Sequence, residues 1–345
     1  MHLYPFFFII SIDWSCILHL VLSRMRSLKL YETKLMEKLI LFFVIAVVSM
    51  VALMMIVVWL FPGQAFNWAK RIEWTRSGLT EKNIDFNGLH ISYLTGGKGD
   101  PLLLLHGFAG GKEHWLWVAK YLGKYFRIIA PDLPGFGSST SDVNLNYTVE
   151  EQVDRVYAFS QALGLKLFHI GGNSMGGNIA GVFAACYPEA TISLWLLDPG
   201  GVESAQASEG DILMEKGEDI LVAKNPEEFE RTYDFCFVNP PKMPGFVKKY
   251  LSEKTAAGSE LLEKIHNDLS NHPAPLESAL NKSTIPTLIL WGDQDRITHV
   301  SGASILESLM PKARAIVMNN IGHIPMIENP ELAAKYYLEF QNKTQ

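Results

Sequence analysis

Cysteine is scarce in this chain: Cys16, Cys186 and Cys236 are the only three in 345 residues. They lie far apart and out of metal-ligand spacing, so they imply no disulfide framework and read as small hydrophobes. Positive charge is also in deficit, with 30 Lys and Arg against 36 Asp and Glu and a net charge of −6. No basic cluster with interleaved aromatics interrupts that balance, which argues against a nucleic-acid partner. Internal repeats and low-complexity tracts are missing as well. A phosphate loop is only imitated at residues 107–112, where the Gly-Lys comes one residue early and Glu113 stands in place of Ser or Thr. His106 and His114 lack metal-ligand spacing with any acid. Neither a metal nor a cofactor is expected.

Charge is missing altogether from residues 39–61, a run of 23 with Ser49 as its one hydroxyl. As a helix rising about 1.5 Å per residue it would reach roughly 35 Å, enough for a bilayer core. The run exceeds the roughly 7–15 apolar residues of a signal-peptide core. A retained transmembrane anchor is therefore favoured over a cleaved leader, although Gly63-Gln64-Ala65 resembles a cleavage site. Upstream, residues 3–22 are apolar but broken by Pro5, Asp13 and His19. Residues 1–38 are read as an N-terminal extension, in which 3–22 offer a second, poor membrane segment; alternatively, Met36-Glu37-Lys38 reads like a natural start, and what lies upstream of it would follow from a misassigned one. Arg24, Arg26, Lys29, Lys34 and Lys38 precede the span, and Lys70, Arg71 and Arg76 follow it. Taken with the full chain, that bias favours a cytoplasmic N-terminus and a translocated domain. Residues 62–82 read as a linker. Within it, Trp68 and Trp74 among basic residues suggest an interfacial collar.

The soluble pattern opens with two alternating strands around Asn87-Gly88, a hairpin turn. Residues 101–105 and 127–130 are continuous apolar runs, hence buried strands. Residues 148–163 are helical, with Thr148 as cap, Glu151 three residues on, and Val149, Val153, Val156 and Phe159 along one face. Leu167, Phe168 and Ile170 then run into Gly172-Asn173-Ser174-Met175-Gly176 and a helix-like stretch. This Gly-x-Ser-x-Gly is a nucleophile elbow: the serine sits on a strained strand-to-helix turn, and flanking glycines let backbone pass without Cβ clashes. Strands at 192–197, 287–291 and 313–318, with helices between and a final helix at 331–341, imply a mostly parallel, doubly wound α/β sheet. The alternation stops over residues 203–282, which read as an inserted helical cap. Residues 83–202 and 283–345 are then the two parts of one core.

A serine hydroxyl needs a base, and that base needs an acid to hold its tautomer. In the chain order Ser, Asp, His, two acids follow the strand at 287–291, in Gly292-Asp293-Gln294-Asp295, and His323 follows the strand at 313–318. Both sets lie at C-terminal strand ends, where such sheets place their sites. Asp198, after the strand at 192–197, is a weaker candidate for the acid. The elbow, the His106-Gly107-Phe108 turn, Trp291-Gly292-x-x-Asp295 and Gly322-His323-x-x-x-x-Glu328 together resemble the α/β-hydrolases over roughly residues 83–341. The resemblance implies Ser174 as nucleophile, Asp295 as acid, His323 as base, and the backbone N–H groups of Phe108 and Met175 as the oxyanion hole. It assigns Asp293 and Asp132 to loop structure and His106 to bracing its turn.

Within that family the single N-terminal span and Asn225-Pro226-Glu227-Glu228 are similar to membrane-anchored monoacylglycerol lipases. Gly-Asn-Ser-Met-Gly-Gly and Pro199-Gly200-Gly201 are similar to meta-cleavage carbon–carbon bond hydrolases, which hold an anionic substrate with a cap arginine. Between residues 239 and 255 this cap offers Lys242, Lys248, Lys249 and Lys254 but no Arg. The expectation is a membrane-anchored serine esterase acting on monoacylglycerols or related lipid esters. Phe229, Tyr233, Phe235, Phe237, Phe246 and Val247 are candidates for an acyl-chain entrance, with ordinary cap core as the alternative. A membrane-tethered binding protein on an inactive hydrolase scaffold is the reading of another class.

Overall fold

Leu102, Leu103, Leu104 and Leu105 are all fully buried, although successive side chains on a strand point to opposite faces. A strand with no wet face belongs in the middle of a sheet covered on both sides. The computed structural model places it there, and describes residues 33–344 together with 15, 18–20 and 23. Apart from those few positions, the apolar stretch 3–22 lies outside the described residues, as do Arg24, Arg26 and Lys29.

Eight strands form one sheet: β1 (Leu79–Phe86), β2 (Leu89–Gly97), β3 (Asp100–Leu105), β4 (Phe126–Pro131), β5 (Phe168–Asn173), β6 (Thr191–Leu197), β7 (Thr287–Gly292) and β8 (Ala313–Met318). Their spatial order is β1-β2-β4-β3-β5-β6-β7-β8. The β1–β2 and β2–β4 pairings are antiparallel and the rest parallel. Asn87 and Gly88 both take positive φ at the β1–β2 turn, as the Asn-Gly pair implies. The sheet's two faces hold separate cores. Leu103, Leu105, Ile170, Leu196 and Ile289 face one, and Leu102, Leu104, Trp195, Leu197 and Leu288 the other.

The first core is closed by α4 (Val149–Ala162), α5 (Met175–Cys186) and α11 (Ser301–Leu309). The second is closed by α3 (Leu116–Leu122), α12 (Pro325–Glu328) and α13 (Pro330–Thr344); Tyr337 of α13 stacks on Trp195 at 4.4 Å. Thr148 caps α4 by accepting from the Glu151 N–H. Between β6 and β7 the chain builds the cap from α6 (Glu209–Glu215), α7 (Pro226–Cys236), α8 (Gly245–Ala257), α9 (Ser259–Asn271) and α10 (Leu276–Leu280).

Residues 72–242 and 251–345 make one compact unit, and residues 1–71 with 243–250 another. The second contains α1 (Thr33–Leu60). Its stretch Met36–Val57 runs 22 residues with mean hydropathy 3.1 and none of it buried. Phe42, Phe43 and Met50 stand exposed along it, which suits lipid rather than water as their surroundings. Among the described residues, one membrane-spanning anchor thus precedes the sheet domain.

The segment read as a linker is more regular than expected. Residues 62–76 form α2 (Pro62–Arg76), started by Pro62 in the first turn where no N–H is needed. Within its unit, Phe66 packs on Tyr250 at 5.4 Å between ring centroids, with Lys70 Nζ 5.4 Å from the Phe66 ring. Gly78 then turns the chain at φ 71, and β1 starts at Leu79, inside the segment read as a linker. The early part of β1 is an edge strand with only Leu79 buried. Its Thr-Glu-Lys-Asn run shows no alternation and cannot be read as a strand from pattern alone.

Candidate active site

The site grows from the C-terminal ends of β3, β5, β6, β7 and β8. β5 ends at Asn173, and Ser174 stands at the head of α5 with φ 54 and ψ −121. An L residue reaches that region only under strain that its surroundings hold in place. The close approach requires glycine on either side. A Cβ at Gly172 would come within 2.1 Å of the Gly176 carbonyl oxygen, and one at Gly176 within 2.3 Å of the Leu105 carbonyl oxygen. Ser174 is pinned through its backbone: its N–H donates to the Leu197 carbonyl (3.1 Å), and its carbonyl accepts from the Gly200 N–H (3.0 Å). Met175 opens α5, so its N–H belongs to the turn that has no intrahelical acceptor. The Gly107–Phe108 turn lies alongside, since a Cβ on Gly107 would sit 3.2 Å from the Ser174 Cβ.

His323 and Asp295 come from neighbouring strand ends. His323 Nδ1 lies 2.8 Å from Asp295 Oδ2, and both side chains are buried. Asp295 is further held by the Ile297 N–H (2.8 Å) and Thr298 N–H (3.1 Å) at Oδ1, and by the Thr298 hydroxyl (2.7 Å) at Oδ2. Burial alone would raise its carboxyl. The facing His323 and these donors overcome that and hold it below the ordinary value. The elbow reaches this pair through Asn173, whose Nδ2 donates to the His323 carbonyl (2.9 Å) and the Leu197 carbonyl (3.1 Å). Glu328 fixes the histidine turn by accepting from the Gly322 N–H (2.7 Å) and from the N–H groups of Val238 and Asn239. Nothing in the sequence marks Asn173 or Thr298 for these roles. A small polar residue beside a serine, or three after an aspartate, has no spacing signal of its own.

The other acids divide by position. Asp293 Oδ1 accepts from the Ile321 N–H. Asp132 accepts from the Lys112 N–H (2.8 Å), the Lys112 ammonium (2.6 Å) and the Ser138 N–H (2.8 Å). Lys112 is buried, and Glu81 lies 3.2 Å from its Nζ. The misplaced Gly-Lys of the sequence is therefore half of a buried ion pair tying two loops together. His106 joins the same brace: its Nδ1 is 2.8 Å from the Gly107 carbonyl, and its Nε2 accepts from the Leu133 N–H at 3.0 Å. Burial pushes its imidazole down, against the pull of Asp132, so it is neutral and fits that role. A second serine–histidine pair, Ser193 Oγ with His169 Nδ1 at 2.8 Å, is buried at the opposite end of β5 and β6. Burial drives His169 down to about 4, and Ser193 also accepts from Gln341.

A cavity of about 460 Å³ opens beside the Asp295 loop, with Pro199, Val202, Met214, Trp291 and Thr298 among its walls. Of the cap aromatics, Phe235 is buried with Ile220 and Ile297 under the Arg296 guanidinium. It is cap core and lines no entrance.

Residues 100–243 match the family model described as alpha/beta hydrolase fold. Lipase 1 of Psychrobacter immobilis is 36% identical over 281 residues, which is 78% of this chain and 86% of that protein. The chain belongs to the α/β-hydrolase family. This α/β-hydrolase is also 31% identical to a Xenopus laevis protein named monoacylglycerol lipase abhd6-A, over 79% of this chain and 85% of that one. Among solved structures, a membrane phospholipase A described as a bacterial virulence factor superposes with a TM-score of 0.82 at 38% identity, covering 88% of this chain and 98% of that one. The α/β-hydrolase described here is a membrane-associated, serine-type esterase or lipase.

Proposed function

We propose that the chain hydrolyses monoacylglycerols or closely related membrane-lipid esters through an acyl-enzyme, with Ser174 as nucleophile, His323 as base and Asp295 as the orienting acid. The observation that carries this reading is the buried 2.8 Å bond between His323 and Asp295, joined by Asn173 to the strained turn of Ser174. With Nδ1–H donated to Asp295, the free Nε2 of His323 is the acceptor for the Ser174 proton. Oγ attacks the ester carbonyl, and the negative charge forms on the carbonyl oxygen. The N–H groups of Met175 and Phe108 are the donors for it, worth about 3–4 kcal/mol each where such donors have been removed. The imidazolium then gives its proton to the leaving alcohol oxygen, releasing the glycerol. Water, deprotonated by the same nitrogen, frees the fatty acid and restores Ser174.

The lipid substrate is supported by the anchor, which holds the domain where amphipathic esters partition, and by the lipase and phospholipase activities named for its relatives. The deciding assay offers the detergent-solubilised full chain a monoacylglycerol, a phospholipid and a meta-cleavage diketo acid, with Ser174→Ala as control. Monoacylglycerol turnover that disappears with the serine is expected. Preference for the diketo acid would move the chain to carbon–carbon bond hydrolysis, and preference for phospholipid would replace the head group. A fluorophosphonate that fails to label wild type would leave only a binding scaffold.

A further inference from the structure

Asp198 has no part in that reaction, yet it is completely buried against it. It follows the last residue of β6 with φ 44, in the left-handed region that Asp tolerates better than most residues. Its N–H donates to the Leu290 carbonyl (3.0 Å), and its Oδ1 accepts from the Gly292 N–H (2.8 Å). Oδ2 is buried and receives no N–H or O–H from the described residues. Oxygens of Asp198 and Asp295 and a ring nitrogen of His323 lie within 4.8 Å of one another. Two carboxylates this close, out of water, do not both ionise. Asp295 has His323, the Thr298 hydroxyl and two N–H groups to hold its charge, whereas Asp198 has one N–H.

We infer that Asp198 is a neutral, protonated carboxyl that turns its O–H toward Asp295 and acts as a positioning residue for the triad acid. The other groups facing the pair agree with that division. Glu328 adds a second nearby negative charge, and Cys236, half-buried alongside, has its thiol pushed up to about 12 and stays uncharged. Burial first, then the Asp295 charge, raises the Asp198 carboxyl well above its ordinary value, with the Gly292 N–H only partly opposing. The donated O–H restrains the Asp295 rotamer and drains charge from it. Without it, Asp295 would carry more charge and attract the imidazolium form of His323 more strongly.

The inference rests on the proposed triad, so Ser174→Ala and Asp295→Asn are measured beside Asp198→Ala and Asp198→Asn in the full chain. Full activity in either of the first two would remove the triad reading itself. With the triad intact, Asp198→Ala is expected to lose about 10- to 100-fold in kcat and to move the acid limb of the kcat/KM profile to higher pH. Asp198→Asn, which keeps a neutral donor, restores activity to within about fivefold of wild type and returns the limb. Asparagine as damaging as alanine would show that the charge of Asp198 is what matters and would overturn the proposal. So would an alanine variant with wild-type rate and limb.

Should the alanine variant not fold, the pH dependence of thermal unfolding in Asp198→Asn decides. A carboxyl raised in the folded state contributes stability below the ordinary carboxylate value that is lost as pH rises. Asparagine removes that loss, so its Tm relative to wild type should climb as pH rises above about 4. A flat or falling difference would refute a proton on Asp198.

Discussion

Lys112→Met tests the brace behind the Gly107–Phe108 turn most directly. In wild type the Lys112 ammonium sits 2.6 Å from Asp132 and 3.2 Å from Glu81, with Trp74 beside it at 5.8 Å. Burial would lower its pKa, but Asp132, Glu113 and Glu81 outweigh that and raise it, while the Lys112 ammonium and N–H hold Asp132 low against burial. Methionine keeps the length of the stem and removes the charge, leaving the Asp132 carboxylate with only the Lys112 and Ser138 N–H groups. Breaking a buried pair from one side costs about 3–5 kcal/mol. For a domain of this size that corresponds to a fall in Tm of about 6–20 °C. The sign with pH is fixed by Asp132. Its folded pKa is depressed, so its contribution is present above the ordinary carboxylate value and lost as pH falls through the folded one. The Tm gap between wild type and Lys112→Met should therefore be widest near neutrality and close toward acid. Adding Asp132→Asn should recover part of it, because the uncompensated charge is gone. Thermal unfolding of the solubilised protein across pH measures all three. A gap of constant size at every pH, or a double variant no better than the single, would mean that lost packing and not the ion pair holds these loops.

Gly176→Ala should abolish turnover and reduce folded yield, since its Cβ would meet the carbonyl oxygens of Leu105 and His106 at 2.3 and 2.4 Å; an active, well-expressed variant would show that the elbow has room to spare. Asn173→Ala removes two buried hydrogen bonds, including the one to the His323 carbonyl, and should cost about 10- to 100-fold in kcat with little change in KM. A pure KM effect would place Asn173 with substrate instead. Alkaline carbonate washing should leave the protein in the membrane pellet, because the 22-residue span of α1 is held by hydrophobic burial and not by charge; release into the supernatant would contradict the anchor.

Much of the fold could be read from local pattern because its strands are short apolar runs between turn residues. β3, β4 and β7 announce themselves that way, and Thr148 and Asn87-Gly88 mark a helix start and a hairpin. The beginning of β1 could not, since an edge strand with a wet outer face carries no alternation beyond Leu79. Nor could α2, whose apolar and basic residues fit a linker equally well until Phe66 and Tyr250 are seen packed together.

By itself the sequence determined the apolar span, the parallel α/β alternation, the interruption by a cap, and the strained Gly-x-Ser-x-Gly turn, all features written within a few tens of residues. Tertiary structure decided what each acid meets. Asp198, Asp293 and Asp295 all follow strand ends, and only the resemblance of Trp291-Gly292-x-x-Asp295 to the family pattern ranks Asp295 first. Only the crossing of β6, β7 and β8 sets Asp295 2.8 Å from the imidazole, hands Asp293 to a loop N–H, and buries Asp198 behind its neighbour. The charge each carries is then settled by desolvation and by the donors within reach. Those depend on residues such as Gly292 and Thr298, whose part in the site no local pattern states.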